Sequence, residues 1–226
     1  MVTVLISVHE PGAKPIWKRL ISESLSIDPS RISIVCSDTR HIPDTGPDVL
    51  QREIYHISNL ILRCCESIKS QRFKEPLPIR VKRGFKQPIP KGKRVQQFSG
   101  ISWGAVIVEL ELDTISLEPV IKGIWGSFES GRIFNHDKVT AGLSHALREA
   151  VKRCGGVVDD REQPVTIDAV IKESEMVLPV SATGTAQGLI AAACSSAVSQ
   201  ALNVPANSLP LLPETILGLL AGRPSP

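Results

Sequence analysis

Five histidines (His9, His41, His56, His136, His145) and five cysteines (Cys36, Cys64, Cys65, Cys154, Cys194) are the side chains of this chain best suited to binding a metal. Their spacing argues against that use. No two histidines stand at H-x-x-x-H spacing and no two cysteines at C-x-x-C spacing, so no pair reaches one metal from a single helix face or loop. Cys64 and Cys65 are adjacent on a segment with helical periodicity, where neighbours diverge by about 100°. The cysteines therefore read as buried structural thiols, and the four clustered thiolates of an iron–sulfur centre are missing from this chain. His56 reads as a packing or capping histidine. Ser181, Ser195 and Ser196 lack the G-x-S-x-G elbow of a nucleophilic serine. Gly184 and Gly188 precede an apolar run without the Lys-Ser/Thr of a phosphate loop, which leaves close packing as their role. Trp103 and Trp125 stand at the two ends of an expected hairpin and read as core or interface aromatics.

The elements that must position these residues follow from periodicity. Val2 to Val8 alternates as a strand, Ile16 to Leu25 has helical spacing, and Arg31 to Cys36 reads as a second strand. After a Pro/Asp/Gly-rich loop from Asp38 to Asp48, residues Leu50, Ile54, Ile57, Ile61 and Cys65 recur every three or four positions and predict a long amphipathic helix. Residues 72–100 hold four prolines and three glycines, with Ile79 to Lys82 as the one strand-like piece, and read as a linker. Beyond it, Val106, Val108, Leu110 and Leu112 fall on one strand face and Glu109 and Glu111 on the other, a half-buried antiparallel strand. Lys138 to Arg153 predicts a helix, Val165 to Ile171 a strand, Leu189 to Leu202 an Ala-rich helix, and Pro213 the start of a short last helix. The expectation is an α+β protein built as two α/β lobes with mixed sheets and packed helices. Its first lobe is 1–71, its linker 72–100 and its second lobe 101–226.

The 226 residues suffice for a sizeable core, and a net charge of +3 is too mild to imply a nucleic-acid partner. The basic cluster Lys82, Arg83, Lys91, Lys93 and Arg94 sits in the Pro/Gly stretch and reads as a solvated linker. No apolar run reaches the roughly 18 residues of a membrane span, and the N-terminus carries no basic-then-apolar leader pattern. A cytoplasmic protein is expected.

Several motifs, in order along the chain, resemble one family. Trp103 to Thr114 contains Gly104-Ala105-Val106-Ile107-Val108-Glu109-Leu110-Glu111-Leu112-Asp113-Thr114, similar to a strand of type G-A-x-V-x-V-E-V-D-T, and Glu129 to His136 is similar to D-x-G-R-x-I-N-P. Ile27 to Val35 is similar to L-G-I-P-x-x-x-V-x-V. Ser37-Asp38-Thr39 with Pro43-Asp44-Thr45-Gly46 is similar to G-D-T-x-x-x-P-D-x-G, and Leu209 to Leu217 to L-P-L-T-P-E-x-V-L. These are motifs of the xanthine dehydrogenase and aldehyde oxidase family, the molybdenum hydroxylases, and they cover the second molybdopterin-binding domain of the large subunit in a shortened form.

The resemblance implies an oxidoreductase fold and a molybdopterin cofactor, and it marks where this chain departs from the pattern. The family's first turn, E-x-G-Q-G, keeps Glu10 and Gly12 but has no Gln, and Pro11 and Pro15 each lack an N–H. Its phosphate-binding helix start, S-x-S-x-x-x-x-G-N, reads Gln51-Arg52-Glu53 through Asn59. Arg52 and Asn59 remain suited to a phosphate, and Glu53 opposes one. Its K-x-x-G-E-P-P motif, whose Glu is the catalytic base, reads Ser181-Ala182-Thr183-Gly184-Thr185, so the base position holds Thr185, whose hydroxyl takes no proton near neutral pH. The family's G-Q-x-x-G-G segment after Asn135 is absent. The resemblance thus implies no catalytic residue and no metal ligand on this chain. Cofactor contacts fall to Gly12, Arg52, Asn59, Gly184 and Thr185, with molybdopterin shared with a partner chain. Because no iron–sulfur or flavin group is expected here, partner subunits carrying molybdenum, iron–sulfur and flavin centres are implied. The alternative is a catalytically inactive homologue with a structural, assembly or regulatory role, as a homo-oligomer.

Overall fold

The computed structural model describes residues 1–6, 12–36, 40, 52–84, 101–158 and 164–222. The chain divides into two compact units, Met1–Gly100 with Val177–Val180 and Ile101–Met176 with Ser181–Pro226.

In the first unit a helix starts at Ala13, from which the sequence has helical periodicity. Strand β1 (Val2–Leu5) pairs in parallel with β2 (Ile32–Val35), Val2 opposite Ile32 and Leu5 opposite Val35, and Ile6 N–H donates to the Val35 carbonyl at 3.2 Å. Between them runs α1 (Ala13–Leu25), which buries Ala13, Trp17, Leu20, Ile21 and Leu25. Leu20 and Leu25 of the helix expected over Ile16 to Leu25 are buried, while Trp17 rather than Ile16 fills the turn before them. Trp17, the largest apolar side chain available, is 1% exposed and donates its indole N–H to the buried Ser58 hydroxyl at 3.2 Å. A left-handed Ser26 ends α1, and a one-turn 3-10 helix, Pro29–Arg31, is capped by Asp28, whose carboxylate accepts from Ser30 N–H at 2.7 Å. The long helix α2 (Arg52–Gln71) packs on α1 through Ile57, Ser58, Ile61 and Cys65, close to the expected positions.

The strand expected over Val2 to Val8 is present over Val2–Leu5, while Ser7 and Val8 lie outside the described set, as does the expected loop Asp38 to Asp48 apart from Arg40. Residues 79–82, the strand-like piece of the expected linker, form no strand, because a strand needs a neighbour to bond and none is supplied among the described residues.

The second unit is a three-stranded mixed sheet with helices on one face. Strand β3 (Trp103–Leu112) and β4 (Pro119–Ser130) form an antiparallel hairpin, and β5 (Thr166–Glu173) joins β4 in parallel, giving the order β3-β4-β5. Asp113 shapes the hairpin turn by accepting from Ile115 N–H and Ser116 N–H, both at 2.7 Å, which holds its carboxyl below the usual range. One register shift, between Glu109 and Leu110, accommodates Lys122 as an extra residue on β4.

Helix α3 (His136–Arg153) starts where the Asn135 side chain accepts from Lys138 N–H at 2.9 Å, with Asp137 in its first turn and Lys152 and Arg153 in its last, all favourable to the helix dipole. Helix α4 (Thr183–Leu202) packs on β3 and α3, and α5 (Pro213–Leu220) closes the chain. Their shared core is built on Ile121, Ile124, Phe128, Leu147, Ile190 and Val198, all at most 2% exposed. Phe128 covers the glycines of the inner face. A Cβ at Gly104 would stand 2.6 Å from its ring, and one at Gly126 2.4 Å. The α+β class thus holds, with the mixed sheet in the second unit.

Candidate functional site

Five residues were expected at a cofactor, and they are positioned by three helix beginnings. In the first unit, Gly12 immediately precedes α1, exposed, with helical φ and ψ of −64° and −20° and no side-chain cap. Glu10 and Pro11 of the same turn lie outside the described residues. Arg52 opens α2. Asn59 follows seven residues later, about 10 Å along the axis at 1.5 Å per residue, and is half-buried. One helix therefore presents both, two turns apart.

In the second unit, Gly184 and Thr185 come together in the first turn of α4, which starts six residues earlier than the Leu189 the apolar pattern marks. The reason is chemical. Ala182 supplies no capping side chain, and Ser181 takes that part from one residue further back. Its hydroxyl accepts from Thr183 N–H at 3.2 Å and donates to the Thr183 hydroxyl at 3.1 Å. Thr185, which the motif resemblance sets at the base position, points its hydroxyl at the start of β3. It is in close hydrogen-bond contact with the Ser102 hydroxyl and lies 3.5 Å from the Ser102 carbonyl. Ser102 is a partner that sequence reasoning missed, 83 residues away in the chain. No local pattern signals such a contact.

This arrangement can bind and orient, but it offers no proton acceptor. A hydroxyl already committed to another hydroxyl and a carbonyl tethers one element to another. Among the described residues the carboxylates whose pKa is clearly displaced, Asp28, Asp113 and Glu149, are displaced downward, chiefly by hydrogen bonds from Ser30, from the Ser116 and Ile115 amides, and from Lys152. A general base needs the opposite displacement. The thiols are equally quiet. Burial pushes Cys64, Cys65 and Cys154 up, and Cys194 up to about 12, so these four are protonated structural groups. Among the described residues no cluster of three or more His, Cys, Asp or Glu could hold a metal, and no helix is long and apolar enough to cross a membrane.

The fit to molybdopterin is accordingly poor in the second unit: the Thr185 hydroxyl is taken by Ser102, and the Thr183 amide by Ser181. In the first unit only the half-buried Asn59 and the helix start beside Gly12 remain, and the Arg52 side chain lies outside the described set.

No family model and no curated protein matches the sequence. Solved structures do. The chain is similar to quinoline 2-oxidoreductase from Pseudomonas putida 86, with a TM-score of 0.64 at 13% identity, covering 98% of this chain and 36% of that one. It is similar to the aldehyde oxidoreductase of Desulfovibrio desulfuricans ATCC 27774, with a TM-score of 0.62 at 16% identity, over 98% of this chain and 29% of that one. The aldehyde oxidoreductase of Desulfovibrio gigas gives a TM-score of 0.62 at 15% identity, over 97% and 29%. At such identities the likeness establishes a fold. The chain spans about a third of the length of the structures it matches.

Proposed function

We propose that this chain is a non-catalytic subunit of a molybdenum-hydroxylase-type oxidoreductase, supplying one part of the fold to an assembly whose reactive groups lie on partner chains. The observation that carries the reading is the asymmetry of coverage. Almost the whole chain superposes on oxidoreductases of this kind, and it accounts for only about a third of each. The sequence motifs point to the same family from independent positions. The tie between Thr185 and Ser102 supports a structural role where the family carries its base. Cofactor contact falls to the first unit around Gly12, Arg52 and Asn59.

The test is purification of the chain from its native source under gentle conditions, with molybdenum content measured beside the identities of copurifying chains. Stoichiometric association with a larger chain that bears molybdenum, together with iron–sulfur and flavin subunits, is the expected result. A metal-free protein without a redox partner would refute the proposal and leave a retained fold with another use, such as a homo-oligomeric scaffold.

A further inference from the structure

The helices of the second unit cover one face of its sheet, and among the described residues of that unit none covers the other. On that open face the register aligns Trp103, Glu129 and Lys172 in one row, Ala105, Ser127 and Val170 in the next, and Ile107, Trp125 and Asp168 in a third. Trp103 is 66% exposed, Ile107 68%, Val170 61% and Trp125 36%. Both tryptophans, read from sequence as core or interface aromatics, are thus excluded from the core. Rows on one face are about 7 Å apart and neighbouring strands about 4.8 Å, so these four side chains form one patch rather than scattered exposures. Its apolar area is on the order of 400 Å², the size of the largest apolar patch on a typical monomer, which is often functional. Trp125 is held flat and ready: its ring occupies the space above Gly123, where a Cβ would stand 2.1 Å from it. A pre-positioned indole loses little conformational freedom on being covered, which is why tryptophan recurs at interface hot spots.

The perimeter decides what kind of surface fits. Glu109, Glu129 and Asp168 face outward with a single ammonium, Lys172, among them, while Glu111 is paired with Lys122 at 2.8 Å. The rim is therefore acidic. A second copy of the same face would set carboxylates against carboxylates, which disfavours self-association.

We propose that this open face is the docking surface for the partner subunit that carries the remainder of the hydroxylase fold, and that the partner meets it with an apolar centre flanked by lysine and arginine. The inference rests on the assembly proposed above. In the matched structures about two-thirds of the chain lies outside the superposed part. In the assembly proposed above the partner carries that remainder and covers part of the surface of this chain.

The test uses the tagged full chain isolated from its native cells, in wild-type form and as Ile107→Asp, Trp125→Ser and Ile115→Asp. Ile115 is 93% exposed in the hairpin turn, away from the patch, and serves as control. The partner is identified by mass-spectrometric sequence as carrying the missing fold. Melting curves of each variant establish that it folds, and oxidative footprinting of Trp103 and Trp125 in the wild-type complex gives a readout that needs no variant. Expected are a loss of partner of about thirtyfold or more with Ile107→Asp or Trp125→Ser, none with Ile115→Asp, weakening by salt, and protection of both indoles. A partner retained equally by all variants, with both indoles still oxidised, would overturn the docking surface and leave the assembly proposal standing. Absence of any such partner would overturn both. A wild-type homodimer dissolved by the patch variants would overturn the choice of occupant.

Discussion

Replacing Thr185 by valine keeps the shape of the side chain and deletes the hydroxyl that meets Ser102. Thr and Val have similar helix propensities, so the change isolates the hydrogen bond. Ser102 and Thr185 are both half-buried, and loss of one neutral bond with its partner left behind costs about 1 kcal/mol, within a range of roughly 0.5–1.5. For a protein of this length that corresponds to a fall in Tm of about 2–4 °C. The assay is urea and thermal unfolding of wild type, Thr185→Val, Ser102→Ala and the double variant, giving a coupling energy of about 0.5–1.5 kcal/mol if the two hydroxyls serve each other. Thr185→Glu, which introduces the residue of the motif that this segment resembles, is expected to lose stability and to gain no activity, because a longer charged side chain displaces Ser102. Single effects that add to within about 0.3 kcal/mol would refute the tether. So would a Thr185→Val variant that melts like wild type while turnover of the assembled oxidoreductase collapses, since the hydroxyl would then act on the substrate.

Gly104→Ala and Gly126→Ala each press a methyl against the Phe128 ring, at 2.6 and 2.4 Å, and should each cost about 1–3 kcal/mol in equilibrium unfolding with an unchanged denaturant slope. Gly155→Ala should cost about 3 kcal/mol by the same assay, because Gly155 has φ of +89° and a Cβ there would lie 2.8 Å from the Leu211 backbone. The Cys194 thiol should resist alkylation in the native protein and react on unfolding. Since its folded value is raised from 9.0 to about 12, the folded state holds the proton longer than the unfolded one. Its contribution is therefore full below pH 9 and is lost as pH climbs toward 12, at most about 1.4 kcal/mol per pH unit. Cys194→Ala should flatten that alkaline decline.

Periodicity served well wherever a strong apolar stripe faces one neighbour, as in α2 through Ile57, Ile61 and Cys65 and in β3 through Val108. It served less well where polar or small residues carry the element. The first turns of α4 hold Thr183, Gly184, Thr185 and Gly188, poor helix formers that hid six helical residues from view. In α1 Trp17 rather than Ile16 is buried because Trp17 donates to Ser58 on α2, a contact spanning 41 residues. The candidate site suffers most from this blindness. Gly184 and Thr185 could be placed by motif, yet what Thr185 does depends on Ser102, which no spacing rule connects to it. The exposure of Trp103 and Trp125 is likewise a property of which sheet face the helices chose.

Phe128 stands in for side chains that Gly104 and Gly126 do not have. Three positions, one on β3 and two on β4, therefore share a single volume and are not free to drift separately. A chain of this fold that replaces the phenylalanine by a smaller residue gains room for alanine or valine at the other two sites. One that keeps the ring must keep both glycines. Across natural variants the three positions should change together or not at all, so the inner face of this sheet records its history as a linked set of alternatives.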